Sequence, residues 1–316
     1  MSTYRPIKVG LLKQKEGQPC TSLIPITSPA GWLGKPIYEN LIERLVRLEL
    51  VLIGLGVARA VPRLQYHLAT LRRLQEHNAV DSDETLWSLL EATELADISN
   101  TLALCPPGLF RQKFRAILNG PVHPQQETVE SNLARNTLFE LHLAGWLMYN
   151  SVPTRLCHNP DIRCTMPDRD VFIQCKRPFS LRGVRTAVTH ACKQLSRDLD
   201  AAGNPAHRGV VGISLTRALN PTNAHVHVQR EEDLTPALMS QVRRIAEHNV
   251  TRYITGPRII AAVFSFIAPA YVEEINQYRT AQVLTLYPSI NATHADRALV
   301  RAVFMRKTKI YDTVAR

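Results

Sequence analysis

Between Arg169 and Pro178 the chain reads RDVFIQCKRP. Taken with a period of two, Val171, Ile173 and Cys175 point one way and Phe172, Gln174 and Lys176 the other, so an amide and an amine share a face. Upstream, Asp161 in NPDI precedes a second short strand, IRCTM, and PDRD joins the two. Whether the turn spans Pro167 and Asp168 or the four residues Pro167 to Asp170, its even length keeps pairing parity, and Asp161 faces either Gln174 or Lys176. A carboxylate, an amide oxygen and an ammonium then converge at the end of a hairpin, which is unusual for a merely solvated surface. Glu140 adds to them. Its neighbours at helical spacing are Asn136, Thr137, Leu143, Ala144 and Leu147, which puts it on or beside a buried stripe. A carboxylate there is costly without a cationic or hydrogen-bonding partner, and a metal site supplies one.

NPDI, a hairpin, IQCKRP, and a preceding helix containing RNTLFELHLAGWL together resemble the PD-(D/E)xK nuclease superfamily, whose fold is that of restriction endonucleases. The likeness runs from about Thr128 to Thr216. It implies that Asp161 is similar to the metal-binding aspartate, Lys176 to the catalytic lysine, and Glu140 to the glutamate that many members project from the first helix. Gln174 stands where Glu or Asp is usual. This departure removes one negative charge from the site and weakens its hold on a hard dication. By the same resemblance, Asp161, the side-chain oxygen of Gln174, the backbone carbonyl of Cys175 and Glu140, directly or through water, hold Mg²⁺ (or Mn²⁺) against a phosphate oxygen. Lys176 orients or helps deprotonate the attacking water. The implied products are a 5′-phosphate and a 3′-hydroxyl. Gln194, in CKQL, is similar to a glutamine that some related nucleases use near DNA ends, but Asp198 occupies the position of the tyrosine that usually accompanies it.

Each residue also has a plainer role. Asp161 after Pro160 suits a turn, Lys176 and Arg177 suit an edge strand guarded by charge, and Glu140 can pair with Arg135, with His142 or with a neighbouring helix. Arg177, Arg182, Arg185, Lys193 and Arg197 follow the candidate catalytic strand and lie along the next helix, where they can meet phosphates or simply face solvent. Overall charge favours the first. Lys and Arg outnumber Asp and Glu by 38 to 27, a formal +11, which attracts polyanions.

The elements that must position these groups fall into two regions. Residues 1–127 read as a helical N-terminal region, irregular to about residue 35. Helices follow from Pro36, from Pro62, from Asp81 (a D-x-x-E capping box with Glu84) and from Pro107 to Leu118. After HPQQE, residues 128–316 read as an α/β, restriction-endonuclease-like domain with a mixed central sheet flanked by helices. It contains a helix from about Thr128 to Tyr149, a short strand near Thr154 to Cys157, the hairpin, and the helix GVRTAVTHACKQLSRDLDAA. The strand GVVGISLT, a helix in EEDLTPALMSQVRRIAEHNV, and the strands IIAAVFSFIA and AQVLTLY complete it.

Six cysteines without a CxxC pair suggest reduced thiols. The opening MSTYRPIKVG lacks the apolar core of a signal peptide, and the apolar runs Leu50 to Val57 and Ile259 to Ile267 are too short to span a bilayer. No membrane association and a cytoplasmic location are therefore expected. No GxGxxG or GxxxxGK[ST] motif supports nucleotide binding. The leading expectation is a metal-dependent nuclease acting on nucleic acid, with DNA favoured. Two others stand beside it. One is a nuclease-fold protein, catalytically weak or inactive through Gln174, that binds nucleic acid or serves as a scaffold. The other is a regulator whose helical N-terminal region binds a protein partner or self-associates.

Overall fold

Each element follows from a change in the spacing of its apolar residues. A short strand, β1 (Ile24–Thr27), precedes four helices: α1 (Ile37–Gly54), α2 (Pro62–His77), α3 (Asp83–Ile98) and α4 (Pro107–Leu118). Next come α5 (Leu133–Tyr149), β2 (Thr154–Leu156), β3 (Ile162–Thr165), β4 (Asp170–Lys176), α6 (Leu181–Ala201) and β5 (Arg208–Ser214). The chain continues through α7 (Thr216–Leu219), β6 (Val226–Val228), α8 (Leu234–Asn249), β7 (Ile259–Val272), β8 (Gln277–Pro288) and α9 (His294–Phe304). This computed structural model describes residues 24–27, 37–57, 61–77, 83–98, 107–123, 126–128, 132–222, 224–249 and 251–304. The capping box expected at Asp81 lies outside them.

The sheet order is β1-β8-β7-β5-β4-β3-β2, with β6 also paired to β7 beyond the end of β5. Pairs β4–β5, β5–β7 and β6–β7 are parallel and the others antiparallel, so the sheet is mixed, as the alternation of helix and strand implies. The parallel β4–β5 pair requires a crossover, and α6 supplies it. One expectation changes at the start of the chain. The segment expected to be irregular contributes β1, because Ile24 to Thr27 finds the free edge of β8.

Two apolar layers cover the sheet. Val171, Ile173, Cys175 and Val210 belong to a cluster that also holds Leu138, Leu143 and Leu147 of α5 and buried leucines of α1 to α3. Phe172, Val211 and Ile213 belong to the other, with Val184, Val188, Leu195 and Leu199 of α6 and Leu238 and Val242 of α8. Helix α5 is buried on almost every side, and the polar side chains it takes inside, Arg135 and Glu140 among them, are met by ion pairs. It begins at Leu133, later than the expected Thr128. Glu127 just ahead of it is bonded by Arg177, which holds the chain there in a non-helical path. No helix among the described residues is long and apolar enough to cross a membrane.

Candidate active site

The hairpin settles which residue Asp161 meets. Thr165 pairs with Asp170 and Ile162 with Ile173, while the Met166 N–H donates to the Arg169 carbonyl at 2.9 Å. The turn is therefore Pro167–Asp168, and extending the register sets Asp161 opposite Gln174. The side chains agree. Gln174 Nε2 donates to Asp161 Oδ2 at 2.5 Å, and the Cys175 N–H donates to the same oxygen at 2.7 Å. Both side chains are buried. Gln174 Oε1 is buried too, and has no hydrogen-bond partner among the described residues. Leaving a buried amide oxygen unmet costs about 1–3 kcal/mol, so it is a natural ligand position. For Cys175, which the resemblance enlists through its carbonyl, the observed contact with the site is through its N–H.

Glu140 approaches from α5, and its partner was not anticipated. Lys113 Nζ, from α4, donates to Glu140 Oε2 at 2.5 Å, with the two side chains only 12% and 14% exposed. Of the alternatives open for Glu140, the neighbouring helix is the one realised. The sequence carried a signal for Lys113: it lies three residues after Phe110 and four before Ile117, beside the buried stripe of α4. Removal from water, and then the charge of Glu140, push the Asp161 carboxyl up to about 7, against the Cys175 N–H and the charges of Lys113 and Lys176. Burial, with Asp161 and Glu140 nearby, likewise raises the Cys175 thiol well above its ordinary range. For Lys113, Glu140 outweighs burial and raises the ammonium.

The four sequence candidates are thus neighbours, but they do not share one sheet face. Strand parity puts Gln174 and Lys176 on the side of Phe172, under α6, whereas Cys175 lies under α5, the helix that carries Glu140. They converge only at the β3–β4 end, around Asp161. Among the described residues no group of three or more His, Cys, Asp or Glu side chains is set to hold a metal. A dication here would rely on two carboxylates completed by the Gln174 oxygen, main-chain carbonyls or water, a set that suits Mg²⁺ in kind while being light in charge.

The basic residues divide. Arg177 is buried and bonded to Glu127, so its guanidinium is turned inward and is not presented to a polymer. Arg182, Arg185, Lys193 and Arg197 are exposed on the outer flank of α6, opposite its buried stripe, and Arg185 lies over the Tyr253 ring at 4.3 Å. Gln194 is half-buried beside them. Behind Arg177 runs a buried ionic chain that spacing alone did not disclose. Glu127 is 3.9 Å from Arg135, Arg135 reaches Glu91 at 2.8 Å, and Glu91 pairs with Arg63. Burial would lift the Glu91 carboxyl, but Arg135 and Arg63 hold it well below the usual range.

No family description matches the chain, and no curated protein or solved structure does either.

Proposed function

We propose that the protein is a metal-dependent nuclease of restriction-endonuclease-like fold that hydrolyses phosphodiester bonds in nucleic acid, with DNA the expected substrate. The observation that carries this reading is the buried Asp161 carboxylate, bonded to Gln174 beside the unpartnered Gln174 Oε1 and within electrostatic reach of Glu140 and Lys176. Asp161, Glu140, Gln174 Oε1 and the Cys175 carbonyl are the groups that would hold Mg²⁺ or Mn²⁺. Such an ion, when bound, would supply charge to stabilise the negative charge that builds on the oxygens of a five-coordinate phosphorus. Lys176, half-buried at the end of β4, would hold a water near that centre and share its proton. Arg182, Arg185, Lys193 and Arg197 would align the polymer along α6 through its phosphates.

The test is cleavage of plasmid and single-stranded DNA in Mg²⁺ or Mn²⁺. Lys176→Ala is expected to slow cleavage by roughly 10²- to 10⁴-fold, and Asp161→Ala to abolish it. Activity surviving in both variants would sink the assignment. A second reading, nucleic-acid binding without cleavage, is favoured by one observation: Glu140 already has a cationic partner in Lys113. Salt-sensitive DNA binding with no hydrolysis in either metal would select it.

A further inference from the structure

Lys113 is the inward-turned charge of α4. Arg111 and Arg115 on the same helix are exposed, whereas Lys113 lies against Glu140 with most of its surface covered. Its bonded partner is Glu140, and the field of Asp161 also reaches it, so the second candidate carboxylate lies within its electrostatic range. Two carboxylates drawn out of water next to each other need a cation. In the structure the cation beside Glu140 is an amine.

We propose that Lys113 is an internal counter-ion that holds the cation position at Glu140 when no metal is bound, so that a divalent ion enters by displacing its ammonium from the carboxylate. This rests on the metal-site reading above and adds to it a residue from the helical N-terminal region that sets the site's metal affinity. An ammonium and a dication on one carboxylate repel each other, and the doubly charged ion is the stronger competitor for the oxygen that Lys113 holds. Lysine suits that part. Its flexible stem and point charge can swing aside, where a guanidinium would keep a two-pronged grip on the carboxylate. The substitution of Gln174 for an acid makes the competition sharper, since the site offers an incoming ion less negative charge with which to displace the lysine.

The experiment is Mn²⁺ binding to the full chain, followed by the electron paramagnetic resonance signal of the free ion. Lys113→Met is expected to bind roughly tenfold more tightly than the wild type, because a like charge has been removed. Lys113→Arg is expected to bind no more tightly than the wild type. A second measurement needs no variant: Mg²⁺ should raise several-fold the rate at which acetic anhydride modifies Lys113, read by peptide mass spectrometry. Saturable Mn²⁺ binding that is equal or weaker in Lys113→Met, with Lys113 labelling unmoved by Mg²⁺, overturns the counter-ion and leaves the metal site standing. No saturable Mn²⁺ binding in the wild type or in Lys113→Met overturns both.

Discussion

At the scale of single residues, Gln174 decides how the site is balanced. Its amide N–H₂ serves Asp161, and this relieves a carboxylate that burial and Glu140 have already pushed up to about 7. Gln174→Glu replaces that donor with a second carboxylate. Without metal, the variant should lose roughly 1–3 kcal/mol of stability, seen as a lower Tm, because like charges are forced together in a buried place. With Mg²⁺ the loss should shrink, since an ion that binds only the folded state stabilises it in proportion to its affinity. An unchanged Tm in the absence of metal would mean that Gln174 does not face Asp161. The Asp161–Gln174 pairing was legible in the sequence to within two registers, because strand alternation and an even turn leave few choices. Lys113 was not read from the sequence, since its partner lies 27 positions away on another helix.

At the scale of elements, α9 illustrates a signal that was present and overlooked. THAD, Thr293 to Asp296, is a capping box. The Thr293 N–H and hydroxyl donate to Asp296 Oδ2 at 3.1 and 2.7 Å, and the Asp296 N–H donates to Thr293 Oγ1 at 3.1 Å. Arg208, at the start of β5, donates through Nε to Asp296 Oδ1 at 2.7 Å and ties the helix to the sheet. Against the effect of burial, Arg208 and Thr293 hold the Asp296 carboxyl below its ordinary range. The sign follows from linkage. A carboxylate depressed in the folded state adds stability above its unfolded pKa and loses it as acid titrates the folded one. Asp296→Ala should therefore cost about 1–2 kcal/mol at neutral pH, with the gap closing below about pH 4. Urea denaturation of both proteins across that range measures it, and a gap independent of pH would contradict the role given to the charge. The strands were easier to read than this cap. Val171, Phe172 and Ile173 are strand formers in a seven-residue run that ends just before Arg177 and Pro178, and length, composition and that flanking proline together mark it as a strand.

At the scale of the whole molecule, the boundary expected between residues 127 and 128 falls inside a buried ionic chain. Glu127 is bonded by Arg177 of the sheet half and lies 3.9 Å from Arg135 of α5. Arg135 in turn shares Glu91 of α3 with Arg63 of α2. The apolar layer on that side is also shared, running from Leu41, Leu45 and Leu48 of α1 through α5 to Val300 and Phe304 of α9. Glu91→Ala leaves the Arg63 and Arg135 guanidiniums buried without their common partner, and should cost about 3–5 kcal/mol. Because helices and sheet are joined by both devices, the full chain is expected to unfold in one calorimetric transition, and Glu91→Ala to lower it as a unit. Two separate transitions in the wild type would show that the helices and the sheet are independent after all.

The sequence by itself determined most of the alternation of helix and strand, the parity that sets Asp161 against either Gln174 or Lys176, and the positive balance of charge; the two-residue turn that selects Gln174 came from the structure. The first three depend on local periodicity and on counting; β1 departs from that pattern because its partner β8 lies about 260 positions away, beyond the reach of any local signal. The tertiary structure decided what each charge does. It turned Arg177 inward to Glu127, left Arg182, Arg185, Lys193 and Arg197 facing solvent, and brought Lys113 to Glu140. The pairing of a buried charge depends on which elements pack together, and packing joins residues whose separation along the chain carries no information about their contact.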